Sequence, residues 1–179
     1  MHCALLCHPD TPARRVDQVQ VSLALDGAMV TLVWRIAPAA SVAMPAPAPA
    51  VRTDGLWQRT CVELFAAPAG AAGYVEFNLA PGGAWAAYRF DGYRAGMAAL
   101  DLRADPVIAT AIADDALVLT AQLTLDALPP GPIDLGLSAV IEEVDGTKSY
   151  WAVAHPAGAP DFHHPETRQL SLALGRGIS

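Results

Sequence analysis

The sequence of 179 residues is long enough for one hydrophobic core and short for two, since domains usually contain roughly 100–200 residues. Apolar residues make up 53% and charged residues 16%, which is typical of globular and not of disordered chains. The net charge is −7, and the 11 lysines and arginines form no basic stripe, which argues against DNA or RNA as a partner. We therefore predict one domain over residues 1–179 that binds no nucleic acid.

The cysteines and the N-terminal segment indicate the compartment. Cys3, Cys7 and Cys61 are an odd number and match no zinc-ligand spacing, so neither a disulfide framework nor a zinc site is expected. The apolar run near the N-terminus precedes Arg14 and Arg15, whereas a signal peptide carries its basic residues first. No run of about eighteen apolar residues occurs. These features predict a cytoplasmic protein with no membrane partner.

Short runs rich in β-branched and aromatic residues recur about every ten residues, separated by Gly, Pro and Asp. In chain order, the predicted strands are Gln18–Leu25, Val30–Ile36, Thr60–Ala66, Tyr74–Ala80, Ala84–Phe90, Val107–Ala113, Ala116–Leu125, Ile133–Glu143, Ser149–Ala154 and Arg168–Leu174. Asp26-Gly27, Asp114-Asp115 and Asp145-Gly146 lie between such runs and favour hairpin turns. The pattern predicts an all-β sandwich or barrel with mostly antiparallel strands.

The segment from Ala37 to Ala50 interrupts this pattern. It contains four prolines among many alanines, which prevents regular hydrogen-bonded structure. Because strand-like runs lie on both sides, we predict a long loop inside one domain and not a linker between two.

Alternation along the strands assigns side chains to faces. The residues predicted to form the core are Val62, Leu64, Val75, Phe77, Leu79, Leu119, Leu137 and Leu172. If the opposite faces align, one polar surface carries Arg59, Glu63, Glu76, Asn78, Trp85, Arg89 and Glu142. Carboxylates, guanidinium groups and an amide beside aromatic rings are typical of a sugar-binding face. Ordinary cross-strand ion pairs on a solvated surface explain the same residues equally well.

The segment His155–Glu166 is a second polar cluster. His163 and His164 are adjacent, and adjacent side chains diverge, so a structural loop is favoured over a metal site. Cys61 lies among apolar neighbours and is predicted to be a buried, unreactive thiol. Glu63 and Glu76 could form a glycosidase-like pair, but nothing in the sequence fixes their separation. Nucleophile-elbow, phosphate-loop and zinc-protease motifs are absent, so we predict a protein that is not an enzyme.

Three segments, Leu56–Phe65, Tyr74–Met97 and Tyr150–Glu166, resemble bacterial DOMON-like proteins, which are relatives of the family-nine carbohydrate-binding modules. The pattern W-x-x-T-x-x-E-x-F and the pattern Y-x-E-x-N-x-x-P carry the resemblance. It implies an immunoglobulin-like two-sheet antiparallel β-sandwich with a ligand site on a sheet face and its end loops. The ligand-binding residues we expect are Trp57, Arg59, Glu63, Glu76, Asn78, Trp85, Arg89 and His163.

Three functions stay open at this stage. The first is binding of a carbohydrate or a similar small polar ligand. The second is a haem-binding or redox role, as in other members of the wider superfamily, for which Met44, Met97, His155 and His163 are conceivable axial ligands. The third is a scaffold that binds another protein. We expect no cofactor and no metal in the isolated protein, and the sequence does not indicate its oligomeric state.

Overall fold

A computed structural model describes residues 1–47 and 49–175 and contains twelve strands in that part of the chain. The strands are β1 (His2–Cys7), β2 (Gln18–Asp26), β3 (Met29–Ala37), β4 (Cys61–Pro68), β5 (Tyr74–Leu79), β6 (Trp85–Phe90), β7 (Ala98–Ala99), β8 (Val107–Ala113), β9 (Ala116–Thr124), β10 (Gly131–Glu142), β11 (Lys148–Ala152) and β12 (Leu170–Leu174). Short 3₁₀ helices lie at Ala39–Ser41, Leu56–Gln58 and Pro165–Thr167. In the described chain, no helix is long and apolar enough to cross a membrane. The prediction of an all-β chain is confirmed.

The strands form one curled antiparallel sheet. Its order is β7-β6-β5-β4-β10-β11-β1-β2-β3-β9-β8, and β12 pairs with β10 beside β11. The strand β1 joins the two halves, because its first residues pair with β2 and its last two pair with β11. The predicted division into two separate sheets of an immunoglobulin-like sandwich is therefore not confirmed. The strand β1 (His2–Cys7), which joins the two halves of the sheet, was not among the predicted strands.

The two halves of the sheet bury one continuous apolar core between them. Alternate residues of β4 and β5 enter this core, as their period of two predicts. Seven of the eight predicted core residues are buried, including Phe77 at 1% exposure. Leu172 is the exception and is only half-buried. It lies in β12, which among the described strands pairs with β10 only.

The proline-rich segment is a loop over its described residues, as predicted. It contains the 3₁₀ helix Ala39–Ser41 and an isolated bridge between Val42 and Glu143. Asp114 and Asp115 both have positive φ angles and form the tight turn between β8 and β9. The predicted turn chemistry is therefore correct at this hairpin.

Candidate functional site

The outward side of β4, β5, β6 and β10 is itself covered, and we call it the cleft face. Strand register brings its polar residues together, because Glu63 lies opposite both Asn78 on β5 and Ser138 on β10. Glu76 lies two residues from Asn78 and opposite Tyr88 on β6. Side chains directly opposite in antiparallel strands point to the same side, so these five residues share one surface.

Two loops rise over the cleft face, one after β6 and one between β11 and β12. They leave a cleft of about 630 Å³, which is within the range of small-molecule sites. The residues that line the cleft are Thr11, Trp57, Glu63, Glu76, Tyr88, Phe90, Arg94, Met97, Val140, Tyr150, Pro160, Phe162 and His163. Most of this lining is apolar or aromatic, and the two carboxyl groups lie among it.

Glu63 and Glu76 are nearly inaccessible, at 3% and 5% exposure. Ser138 Oγ donates a hydrogen bond to Glu63 Oε2 at 3.0 Å, and Asn78 Nδ2 donates one to Glu76 Oε1 at 2.7 Å. Burial raises the pKa of both groups above the ordinary value, and the negative charge of Glu76 raises the pKa of Glu63 further. The pair therefore retains a proton near neutral pH, so this part of the cleft holds both a hydrogen-bond donor and strong acceptors.

His163 stands beside this pair as a neutral imidazole. Burial lowers its pKa to about 4, and the positive charge of Arg94 acts in the same direction. The Tyr74 hydroxyl accepts a hydrogen bond from the Arg94 backbone N–H and lies 2.8 Å from His163 Nδ1, within hydrogen-bond distance. The other ring nitrogen of His163, Nε2, lies 3.9 Å from Glu76 Oε2. Because the imidazole is neutral, this contact is not an ion pair.

The positive charge of Arg94 lowers the pKa of both carboxyl groups, and its guanidinium is paired with Asp161. Its guanidinium donates a hydrogen bond to Asp161 Oδ1 at 2.8 Å, and the Tyr93 hydroxyl donates to Asp161 Oδ2. The bonds to Asp161 outweigh the burial of Arg94, so the pKa of Arg94 is raised. This pair ties the loop after β6 to the loop before β12, and it closes one side of the cleft.

Aromatic rings form the walls of the cleft. Phe162 and Tyr150 lie with their ring centroids 5.9 Å apart, and Tyr88 is fixed by a 2.6 Å hydrogen bond from its hydroxyl to Asp54. Trp57 is 53% exposed at the mouth, in the short helix that precedes β4. An exposed indole beside buried carboxyl groups offers a stacking surface and hydrogen-bonding groups in the same cavity.

The structure brings part of the predicted binding set together. Trp57, Glu63, Glu76 and His163 line the cleft, and Asn78 lies behind them as the hydrogen-bond partner of Glu76. Trp57 lies at the edge of the cleft, and the charged groups in the lining are Glu63, Glu76 and Arg94. None of the arginines predicted for the polar surface is among them.

Three predicted residues lie elsewhere. Arg59 is exposed and pairs with Glu142 at 3.4 Å, outside the cleft lining. Trp85 is buried in the main core at 2% exposure, beneath the Arg52 guanidinium, and Arg89 pairs with Asp91 at 3.5 Å. The placement of Trp85 and Arg89 on the polar surface was wrong because the register Glu76 to Tyr88 puts the even-numbered residues of β6 in the cleft.

Several cleft residues were not predicted from the sequence. Tyr88 and Phe90 could have been recognised as a pair of aromatic side chains on one face of β6. The other face carries Trp85, however, so aromatic residues alone did not show which face lines the cleft. Arg94, Met97 and Phe162 belong to loops, where no periodicity assigns a direction. Only their position within the segments that resemble known binding modules pointed to them.

In the segment His155–Glu166, His155 and His164 hold the backbone of the loop and do not line the cleft. His164 accepts a hydrogen bond from the Glu166 backbone N–H at the start of the 3₁₀ helix Pro165–Thr167, and His155 Nε2 lies 2.8 Å from the Leu6 carbonyl oxygen. Over residues 1–47 and 49–175, no group of three His, Cys, Asp or Glu side chains is arranged to hold a metal ion. Cys61 is completely buried, and burial raises the pKa of its thiol well above the ordinary value.

Comparisons with known proteins show the fold. No family model and no curated protein matches the sequence. A solved structure from Bacteroides uniformis, to which carbohydrate binding is ascribed, is similar with a TM-score of 0.71 and 15% identity, over 97% of this chain and 85% of that one. A family-nine carbohydrate-binding module from Caldicellulosiruptor kristjanssonii in complex with glucose has a TM-score of 0.57 and 10% identity, over 83% and 72%. The complex of such a module with cellotriose gives 0.59 and 9%, over 94% and 80%.

Proposed function

We propose that this protein is a non-catalytic module that binds a sugar in the cleft between β4, β5, β6 and the two covering loops. One observation carries the proposal: two buried carboxyl groups with unused hydrogen-bonding capacity lie in a cavity walled by aromatic rings. Rings stack on the apolar face of a pyranose, while carboxyl and amide groups exchange hydrogen bonds with its hydroxyls. Such a site suits a small polar ligand better than a protein surface, which needs a wider and flatter contact area.

The fold likeness supports the same assignment. Two of the similar structures are carbohydrate-binding modules, bound to glucose and to cellotriose. At identities of 10% and 9% the likeness concerns the fold alone. The residues of this chain's own cleft support the assignment of the ligand. Membership among DOMON-like proteins, a single domain over residues 1–179 and a cytoplasmic location remain our predictions.

The position of the carboxyl groups argues for binding and against glycoside hydrolysis. Hydrolysis requires two carboxyl groups that flank the scissile bond. Glu63 and Glu76 lie on adjacent strands of one sheet face, with Asn78 directly opposite Glu63. Both groups therefore approach a bound ring from the same side.

The test is isothermal titration calorimetry with mono- and disaccharides on the wild-type protein and on Trp57→Ala. We expect at least one sugar to bind, and we expect Trp57→Ala to weaken its affinity about tenfold, as loss of a ring contact of about 1–1.5 kcal/mol implies. Arg89→Ala is the matched control and should leave the affinity unchanged, because Arg89 lies outside the cleft. A protein that binds no sugar in such a screen would contradict the proposal.

A haem-binding function has one observation in its favour, namely that Met97 and His163 both line the cleft. The residues present do not fit a haem. Nδ1 of His163 is bound to Tyr74, and Nε2 faces the Glu76 carboxyl at 3.9 Å, so an iron ligated at Nε2 would have to displace that carboxyl group. A Soret band in the purified protein would overturn this reading.

A further inference from the structure

The two cleft carboxyl groups each keep one oxygen without a hydrogen-bond partner in the described chain. Glu63 is bonded only through Oε2 and Glu76 only through Oε1. Both side chains are at least nine-tenths buried, and both line the cavity. Both oxygens are open to the cavity, so they can accept hydrogen bonds from donors on a molecule that fills it.

No lysine or arginine of the described chain lies within ion-pair distance of these carboxyl groups, although the charge of Arg94 lowers the pKa of both. Arg94 is engaged with Asp161 at 2.8 Å, and His163 is neutral with Nδ1 bound to Tyr74. Arg168 stacks on the Tyr74 ring at 5.0 Å, and its guanidinium donates to the His163 carbonyl oxygen. The cleft therefore has a surplus of negative charge once both glutamates are ionised.

We infer that the sugar bound in this cleft carries a primary ammonium group, and that Glu63 Oε1 and Glu76 Oε2 accept its hydrogen bonds. The ligand class is an amino sugar. This inference rests on the proposed sugar-binding function and specifies the chemistry of its ligand.

Three features favour a primary ammonium over other groups. An ammonium offers three donors to the two open oxygens and brings the missing positive charge, whereas a hydroxyl brings one donor and no charge. A quaternary ammonium has no N–H and would leave both oxygens unpaired. The surrounding rings also attract a cation through their faces, which adds to the carboxyl contacts.

The experiment compares matched sugars by calorimetry: glucosamine, galactosamine and mannosamine against glucose, galactose and mannose, with the N-acetyl derivatives as neutral controls. We expect one amino sugar to bind about tenfold more tightly than its parent, since charge-assisted hydrogen bonds are about twice as strong as neutral ones. The N-acetyl form should lose that advantage. If the parent sugars bind as tightly as the amino sugars, the inference fails and the sugar-binding function stands. If no sugar binds, both fail.

A variant tests the role of the carboxyl group itself. Glu76→Gln keeps the shape and removes the charge, so it should abolish the preference for the amino sugar over its parent. Glu142→Gln is the matched control. Glu142 lies at the end of β10 and pairs with Arg59 outside the cleft, so this variant should keep the preference. A preference that survives in both variants would overturn the inference.

The wild-type protein gives an independent readout. An ammonium next to the carboxyl pair lowers their pKa, so binding of the amino sugar should release protons, whereas binding of the neutral parent should release none. Calorimetry at about pH 6.5, where the amine is largely protonated, in buffers of different ionisation enthalpy measures this number directly. Binding of an amino sugar without proton release would contradict the proposed contact.

Discussion

At the scale of single residues, the unusual feature is a pair of carboxyl groups held in an apolar setting. Glu63 accepts one hydrogen bond from Ser138 on the neighbouring strand β10, and Glu76 accepts one from Asn78 on its own strand β5. Those bonds favour the ionised form, but burial outweighs them and raises the pKa of Glu63 to about 8 and that of Glu76 to about 7. Burial thus lets the pair retain a proton near neutral pH.

This arrangement makes stability depend on pH. A carboxyl whose pKa is raised by folding stabilises the folded state below its unfolded pKa, and that contribution is lost as pH rises through its folded pKa. Between pH 7 and 8 the free energy of unfolding should fall by about 1 kcal/mol through Glu63 alone. His163 does not oppose this fall, because it is largely neutral in both states above about pH 7.

Urea unfolding of the wild type and of Glu63→Gln at both pH values measures the effect. The variant cannot ionise, so the part of the pH dependence that comes from Glu63 should disappear. Glu142→Gln, a glutamate outside the cleft, serves as the control and should behave like the wild type. An equal pH dependence in Glu63→Gln and the wild type would show that Glu63 is ionised at neutral pH.

At the scale of elements, strand β6 separates two functions by alternation. Tyr88 and Phe90 face the cleft, whereas Trp85 and Ala87 face the main core. The strand is therefore apolar on both sides, and its two faces contribute to different parts of the molecule. The register with β5 decides which side chains of β6 face the cleft and which face the main core.

Substitutions in β6 should separate stability from binding. Trp85→Ala should lower the free energy of unfolding by about 3–5 kcal/mol, as large deletions in a core do. Tyr88→Phe should instead weaken sugar binding, because Tyr88 lines the cleft and its hydroxyl holds Asp54. Urea unfolding and calorimetry check the two effects. If Trp85→Ala folds as stably as the wild type, the assignment of this strand's faces is wrong.

Most strands could be predicted from the sequence because apolar residues recur at every second position and form one face of the strand. Val107–Ala113 was predicted with its observed bounds, and the β5 prediction is one residue too long. In β6, aromatic residues occupy both parities, so the pattern did not distinguish cleft from core. In β1, the sequence HCALLC has no clear alternation, and its pairing with β2 and β11 makes it a strand.

At the scale of the whole molecule, the site depends on contacts that no local pattern encodes. Glu63 and Glu76 were predictable because they lie mid-strand at the right parity, and Trp57 because it belongs to a recognised motif. Arg94 and Phe162 come from loops and reach the cleft through tertiary contacts, such as the ion pair between Arg94 and Asp161. Half of the cleft is thus built by segments whose direction is set only when the chain has folded.

The strand β1 has a consequence for the order in which the chain folds. Its pairing of Cys7 with Trp151 spans most of the sequence, whereas β2 and β3 are joined by a two-residue turn. Closing so long a loop costs entropy before it is rewarded, so the pairing of β1 with β11 should form after the folding transition state has been crossed. Cys7→Ala, in the part of β1 that pairs with β11, should then speed unfolding and leave the folding rate unchanged, whereas Leu23→Ala, buried in the β2–β3 hairpin, should slow folding. Stopped-flow kinetics in urea would contradict this order if both variants slowed folding to the same extent.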